Sequence, residues 1–174
     1  PISLDKITNR VSVLSTGLNI DPIVVVQKAV PGLYSDISSV EIDTYLAETA
    51  AALTVEHPDY SYLAARIKVN SLHKETPGFI IATKNLYDDG LLREDYYKKV
   101  MENADLIESI IDYDKDYTFD YFALTTLIRA YLLKFDNKTI ERPQDLWMRV
   151  TLTVTGNQFN LDKIKETYKS LSTG

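Results

Sequence analysis

The sequence predicts an all-α protein, in which a four-helix bundle is followed by a second helical region with at most one short β-hairpin. Apolar residues recur at the three- and four-residue spacing of a helix, and capping residues, proline or glycine separate these segments. Only one pair of short segments has the pattern of paired strands. The 174 residues suffice for one ordinary domain or two small ones, and 45% hydrophobic with 25% charged residues is typical of a globular protein.

Four helices are predicted in the first half of the chain, and the first three have recognisable starts. Ser3 is a suitable N-cap for the first helix, which Gly17 would end. Asp21 followed by proline is typical of an N-cap and the first helical position, where the missing proline N–H costs nothing. Ser38 and Glu41 are three residues apart, as in a capping box, and predict the start of the third helix.

The fourth helix is predicted to start with Asp59 as its N-cap, directly after the break at Pro58, and to end before Pro77. Its buried face would carry Leu63, Ile67 and Val69. Because short loops join the four helices, we expect them to pack as a small bundle. Pro77 also marks a predicted domain boundary, which divides the chain into residues 1–77 and 78–174.

The second half is predicted to contain five helices and the single hairpin. In order, the helices cover 79–87, 94–111 and 119–133, then a segment opened by Arg142-Pro143 and a last one opened by Asn160 or Asp162. Asp136-Asn137 is predicted to turn the hairpin between Leu132-Leu133 and Thr139-Ile140. The run from Asp112 to Tyr117 is polar and turn-like.

Composition argues against several classes of partner. A net charge of -6 does not favour general binding to nucleic acid, which needs a basic face to displace counterions. Without cysteine the chain has no thiolate chemistry, and with two histidines a histidine-based metal site is not expected. No apolar run approaches the ~20 residues that span a bilayer, and the start lacks a secretion signal. We therefore expect a cytoplasmic protein with no membrane, nucleic-acid or metal partner.

Four residues of the predicted bundle carry groups that a nucleotide needs. Cationic side chains or the free N–H groups at a helix start bind phosphate, and a carboxylate can accept a hydrogen bond from a ribose hydroxyl. Lys6 lies in the first helical turn, Ser39 and Asp43 share one face of the third helix, and Lys74 ends the fourth. A pocket of these residues is geometrically possible. Each also fits an ordinary role: a solvated lysine, a helix cap, an exposed acid and a cation that complements the helix dipole.

The sequence contains no arrangement typical of catalysis. It has no serine in a nucleophile elbow and no glycine-rich phosphate loop. The acidic run from Asp112 to Asp116 lacks the glycine and the terminal glutamate of a calcium loop. His57 is interpreted as a loop residue, and His73 as a surface or capping residue.

Segments along nearly the whole chain resemble one known family. In the first half they are Leu4-Asp5-Lys6-Ile7-Thr8-Asn9-Arg10, Val40-Glu41-Ile42-Asp43, His57-Pro58-Asp59-Tyr60 and Leu72-His73-Lys74-Glu75-Thr76. In the second half they include Tyr131-Leu132-Leu133-Lys134, Glu141-Arg142-Pro143-Gln144 and Met148-Arg149-Val150. In this order they resemble the N-terminal region of the large (alpha) subunit of class I ribonucleoside-diphosphate reductase. The shared order is more specific than any single motif.

The resemblance implies a function for each region. Residues up to about 77 resemble the ATP cone, a regulatory module where ATP activates and dATP inhibits, and the rest resembles the helical domain that precedes a ten-stranded catalytic barrel. The family's ligand contacts correspond to Asp5 and Ile7 at the base, Ser39 and Asp43 at the base and ribose, and Lys6 and Lys74 at the phosphates. Ser39 stands where threonine is usual, a change that keeps the hydroxyl. Asp43 is expected to lie nearest the ribose difference between ATP and dATP.

The two ends of the chain carry further expectations from the resemblance. A complete cone opens with a Val-x-Lys-Arg-x-Gly strand that covers the nucleotide, and this chain starts after it, so we expect weakened or absent binding if Pro1 is the true end. The chain stops before the barrel, so we expect a fragment with no catalytic residues and no cofactor of its own. The parent's partners would be ATP or dATP, the rest of the large subunit with its barrel, the radical-generating small subunit and further copies of itself.

Two alternatives belong to other classes. The chain could be a helical interaction module that has lost nucleotide binding and only mediates assembly. It could also be a small independent enzyme, for which no nucleophile or acid–base pair is present. Titration with a nucleotide distinguishes the first alternative from the hypothesis of a regulatory ATP cone.

Overall fold

The computed structural model describes residues 3–174, and in this range the prediction of an all-α fold with one hairpin is confirmed. The α-helices are α1 (Leu4–Leu14), α2 (Pro22–Ala29), α3 (Ser39–Ala52), α4 (Asp59–Glu75), α5 (Phe79–Asp88), α6 (Glu94–Glu102), α7 (Ala104–Ile110), α8 (Tyr121–Ala130), α9 (Pro143–Val154) and α10 (Leu161–Thr173). Short 3-10 segments cover Val30–Gly32, Leu53–Val55 and Tyr113–Thr118, and the hairpin strands are β1 (Lys134–Phe135) and β2 (Lys138–Thr139). None of the described helices is long and apolar enough to cross a bilayer.

The chain divides into two compact units, each with its own core. The first is Pro1–Leu72 with Tyr117–Thr126, and the second is His73–Asp116 with Leu127–Gly174. In the first unit α1 packs on α2 and α2 on α3, around the fully buried side chains of Val11, Val25, Leu46 and Leu63. In the second, α9 packs on α10 and α5 on α6, around Val100, Ile107, Met148 and Ile164. The four-helix bundle and the domain limit at residue 77 stay predictions.

Several helices begin at the predicted caps. Asp21 accepts a hydrogen bond from the first turn of α2, and Ser38 and Glu41 form both bonds of a capping box at α3. At α10 the cap is Asn160, whose side chain accepts a backbone N–H bond, while Asp162 lies inside the helix. Local side-chain chemistry therefore decides where these helices start.

The start of α4 differs from the prediction. Asp59 is the first residue of the helix rather than its cap, and its Oδ2 accepts a hydrogen bond of 2.9 Å from the N–H of Asn19. The N–H of Asp59 donates to Nδ1 of His57 at 3.0 Å. His57 thus accepts a hydrogen bond from the first N–H of α4, which has no partner inside the helix. The interpretation of His57 as a plain loop residue missed this role.

The prediction of a single helix over 94–111 is wrong, because the helix is interrupted at Asn103. This residue has φ -123° and ψ 22°, and it separates α6 from α7. Its side-chain Nδ2 donates to the carbonyl oxygen of Lys99 at 2.8 Å. An asparagine side chain that binds a helix carbonyl competes with the backbone ladder, so the helix ends there.

The predicted hairpin is present, with strands closer to its turn than expected. Lys134 pairs with Thr139 and Phe135 with Lys138 in antiparallel register. Asp136 and Asn137 form the two-residue turn with φ values of 49° and 63°. Both values lie in the left-handed region that the tight turn of a hairpin requires and that aspartate and asparagine tolerate.

The aromatic ring of Tyr45 occupies the space that a side chain at Gly32 would need. A Cβ at this position would lie 2.4 Å from Cζ of Tyr45, so the ring would have to move. We expect Gly32→Ala to lower the free energy of unfolding by about 1–2 kcal/mol, measured by urea denaturation. In a Tyr45→Leu background the same change should cost less, and an equal loss in both backgrounds would contradict this explanation.

Candidate functional site

The first turn of α1 places three of the predicted site residues in different environments. Ser3 caps the helix by accepting a hydrogen bond from the N–H of Lys6. Asp5 and Lys6 are exposed, whereas Ile7 is only 7% exposed and packs into the core of the first unit. Asp5 and Lys6 are therefore the charged side chains that the first turn of α1 presents to solvent, beside the exposed Leu4.

The start of α3 carries the next two predicted residues. Ser39 is its exposed first residue, and Asp43, one turn later on the same face, is buried with 3% exposure. Hydrogen bonds from the side chain and backbone of Ser38 lower the pKa of the exposed Glu41, so that carboxylate is charged at neutral pH. The first turn of α3 therefore combines free N–H groups with one capping carboxylate.

The structure joins the two helices through a residue that the sequence did not single out. Arg10 of α1 donates from Nη2 to Oδ1 of Asp43 in an ion pair, with side-chain exposures of 26% and 4%. Arg10 lies one turn after Lys6 on the same helical face, and it belongs to the Leu4–Arg10 segment that carried the family resemblance. The four-residue spacing between Lys6 and Arg10 could have indicated that both face the same site. It could not have indicated Asp43 as the partner of Arg10, because the two residues are 33 positions apart.

Two helices that are linked by one ion pair carry groups suited to an anionic ligand with hydroxyls. Lys6 and Arg10 share a face of α1, and Ser39 and Asp43 share a face of α3. The ion pair joins Arg10 of the first face to Asp43 of the second. Cations and a helix start favour phosphate, while hydroxyl and carboxylate oxygens accept hydrogen bonds from a sugar. Among residues 3–174, no group of three His, Cys, Asp or Glu side chains is placed to hold a metal ion.

Lys74, the sixth predicted residue, lies in the last turn of α4. Its side chain is exposed, and it belongs to the second compact unit rather than the first. Its convergence with the five residues of α1 and α3 stays a prediction.

The residue next to Lys74 is a partner of a buried carboxylate. His73 was predicted to be a surface or capping residue, but its side chain is 18% exposed and its Nε2 lies 2.7 Å from Oδ2 of Asp116. Asp116 is fully buried, and its Oδ1 accepts a hydrogen bond of 3.0 Å from the N–H of Gln144. Burial raises the pKa of Asp116, while the bonds from His73 and Gln144 oppose that rise.

Arg142 holds the backbone at the end of α4. Its Nη2 donates to the carbonyl oxygens of His73 at 2.9 Å and Thr76 at 2.7 Å, and its Nε donates to Oγ1 of Thr76 at 2.8 Å. The guanidinium group also lies 4.7 Å from the ring centroid of Tyr113. A cation at a helix C-terminus satisfies carbonyls and complements the dipole. Arg142 was predicted only as a helix start, which it also is.

Comparison with known proteins gives matches along almost the whole chain. The family model for the ATP cone domain matches residues 1–75, and the model for the all-alpha domain of ribonucleotide reductase matches residues 117–174. Ribonucleoside-diphosphate reductase large chain 2 of Saccharomyces cerevisiae is 40% identical over 99% of this chain and 21% of that protein. The large subunits of Caenorhabditis elegans and Vaccinia virus are each 39% identical over 98% of this chain, and over 23% and 24% of their own lengths. The chain thus spans about a fifth to a quarter of the relatives it matches.

Proposed function

Because this chain belongs to the family of ribonucleoside-diphosphate reductase large subunits, we propose that its ATP-cone region binds ATP or dATP as an allosteric effector. The observation that carries the proposal is the meeting of α1 and α3 at the Arg10–Asp43 ion pair. Lys6 shares a helical face with Arg10 and Ser39 shares one with Asp43, and these side chains are of the kinds that a nucleotide requires.

Each predicted residue receives a role in this site. The proposed contacts are Asp5 and Ile7 for the base, Ser39 and Asp43 for the base and ribose, and Lys6 and Lys74 for the phosphates. Lys74 is assigned by its cationic side chain at the end of the fourth helix and by the family resemblance. Arg10 is added as the residue that holds the carboxylate of Asp43, since it binds Oδ1 of that side chain.

The regulatory step would be a shift between conformations that ATP and dATP stabilise differently. The two ligands differ by one ribose hydroxyl, so any difference in their effect must arise from contacts near that position. Asp43 is the proposed contact because a carboxylate accepts a hydroxyl hydrogen bond that dATP cannot donate from the same carbon. A buried carboxylate whose Oδ1 is already bound by a guanidinium group has a restricted orientation, which favours such discrimination.

The wider role follows the family. We propose that the complete large subunit, together with its catalytic barrel and a radical-generating small subunit, reduces ribonucleoside diphosphates to deoxyribonucleoside diphosphates. Residues 1–77 would form the regulatory domain and residues 78–174 a helical domain beside the barrel, with further copies of the large subunit as assembly partners. The described residues contribute regulation and structure to this reaction rather than catalysis.

Titration with dATP tests the nucleotide site. We expect saturable binding by isothermal calorimetry and a higher melting temperature, since a ligand at about 100 times its Kd stabilises the folded state by about 2.7 kcal/mol. Absence of heat and of a melting shift at millimolar dATP would reject nucleotide binding by this chain and would favour the assembly module instead.

Asp43→Ala and Asp43→Asn are the variants that test the assignment. We expect either change to weaken dATP or ATP binding at least about tenfold, equivalent to about 1.4 kcal/mol. Asp105→Ala, which removes an exposed acid in α7, is the matched control and should bind as the original chain does. Circular dichroism would establish that each variant is folded, and undiminished binding by a folded Asp43→Asn would reject the role of this carboxylate.

A further inference from the structure

A cavity lies entirely within the second compact unit. It has a volume of about 350 Å³, at the lower end of the range for small-molecule sites. Its walls come from the segment that leads into α6, from α6 itself and from the end of α9. None of the residues assigned to the nucleotide site lines it.

The cavity is lined by apolar side chains, by three cationic ones and by the carboxylate of Asp95. The apolar residues are Leu91, Leu92, Tyr96 and Leu152. The cationic side chains are Arg93, Lys99 and Arg149. A site with an apolar wall and a few convergent polar groups is typical of a pocket for a small organic molecule.

Lys99 is the most unusual group in this cavity. It is only 7% exposed, and its ammonium group donates to the carbonyl oxygens of Leu152, at 2.7 Å, and Gly156. These two acceptors leave one of its three N–H donors without a partner among the described residues. No described carboxylate lies within ion-pair distance of Lys99, and burial together with the charge of Lys163 lowers its pKa.

Arg149 supplies a second donor to the same cavity. Its Nε and Nη2 donate to the two carboxylate oxygens of Glu141, at 2.8 and 3.1 Å, so a carboxylate balances its positive charge. Its Nη1 donates to no acceptor among the described residues. Arg93 is likewise paired, with Asp95 at 3.0 Å. Of the three cations that line the cavity, Arg93 is paired with Asp95, which also lines it, and Arg149 is paired with Glu141, which does not. Lys99 is the cation without a carboxylate partner among the described residues, in a protein whose net charge is -6. An anion would supply the missing counter-charge.

We propose that this cavity binds a small organic anion, with its charged head at Lys99 and Arg149 and its apolar body against Leu91, Tyr96 and Leu152. The charged head would accept charge-assisted hydrogen bonds from the remaining N–H of Lys99 and from Nη1 of Arg149. The site is independent of the proposed nucleotide site.

Phenyl phosphate is the probe, because it combines a phosphate head with a flat apolar body. Titration of the full chain, followed by amide NMR shifts, should give saturable shifts at the cavity residues. Inorganic phosphate lacks the body and benzyl alcohol lacks the charge, and each should bind at least about tenfold more weakly. Absence of saturable shifts with phenyl phosphate up to about 10 mM would overturn the proposal, since that limit is a binding free energy of only about -3 kcal/mol.

Two variants and a matched control locate the binding. Thr153→Trp fills the cavity from an exposed position on α9, and Lys99→Met removes the unmatched cation while keeping most of the side-chain volume. Each should weaken phenyl phosphate binding at least about tenfold. Val154→Trp adds the same side chain at the neighbouring exposed position, outside the cavity lining, and should leave binding unchanged. Undiminished binding to folded Thr153→Trp would overturn the proposal even if Lys99→Met did not fold.

Discussion

Replacing Arg142 with methionine is expected to lower the free energy of unfolding by about 3 kcal/mol, a large share of the stability of an ordinary domain. The guanidinium group donates three hydrogen bonds to His73 and Thr76 and stacks on Tyr113. Methionine preserves much of the packing but none of the donors, so the carbonyls at the end of α4 lose a charged partner. The change should appear as a lower urea midpoint, followed by the fluorescence of Trp147, the single tryptophan, in α9.

The controls for Arg142 separate charge from geometry. Arg142→Lys keeps the positive charge, but its one nitrogen cannot replace both Nη2 on the two carbonyls and Nε on the Thr76 hydroxyl. It should therefore recover only part of the loss. Arg93→Met removes an arginine whose side chain is 85% exposed and paired with Asp95, and it should change stability by less than about 0.5 kcal/mol. Equal losses in Arg142→Met and Arg93→Met would contradict a specific role for these bonds.

The second large effect is a dependence on pH that comes from Asp145. Burial raises the pKa of Asp145 to about 6, against hydrogen bonds from the hydroxyl of Tyr113 and the N–H of Arg142 that lower it. In the unfolded chain the same carboxyl titrates near 3.8. Between these pH values the folded state binds more protons than the unfolded state, so stability falls as pH rises through this window.

The comparison with Asp145→Asn isolates this titration. The original chain should lose about 2–3 kcal/mol relative to the variant between pH 4 and pH 8, with most of the loss complete just above pH 6. At pH 4 the carboxyl group of folded Asp145 is protonated and, like the amide group of the variant, offers one carbonyl oxygen as its strong acceptor to Tyr113 or Arg142. Urea unfolding at each pH provides the difference, and parallel pH profiles would show that Asp145 is ionised at its ordinary pKa.

Much of the helical structure was predictable because its signals are local. Asp21 with its proline, and Ser38 with Glu41, act on backbone groups within three residues, and the structure has helices where these patterns predict them. The failure at 94–111 is also local in origin. The apolar spacing continued past Asn103, but the side chain of this residue binds the carbonyl of Lys99 and ends the helix.

The candidate site was predictable only in part, because sequence spacing relates residues on one helix but not on two. It placed Ser39 and Asp43 on one face of α3, and the family resemblance added Asp5 and Ile7. It did not reveal that Arg10 binds Asp43 across 33 residues. His73 was misassigned for the same reason, since its partner Asp116 is 43 residues away.

The sequence by itself determined the helical class, most helix starts, the turn of the hairpin and the family, because each depends on nearby residues or on their order along the chain. Only the tertiary structure decided which charges meet: Arg10 with Asp43, His73 with Asp116, and Arg142 with the end of α4. It also left Lys99 buried, with no carboxylate partner among residues 3–174. The physical reason is that a buried charge requires partners from several elements at once, and packing of those elements brings them together.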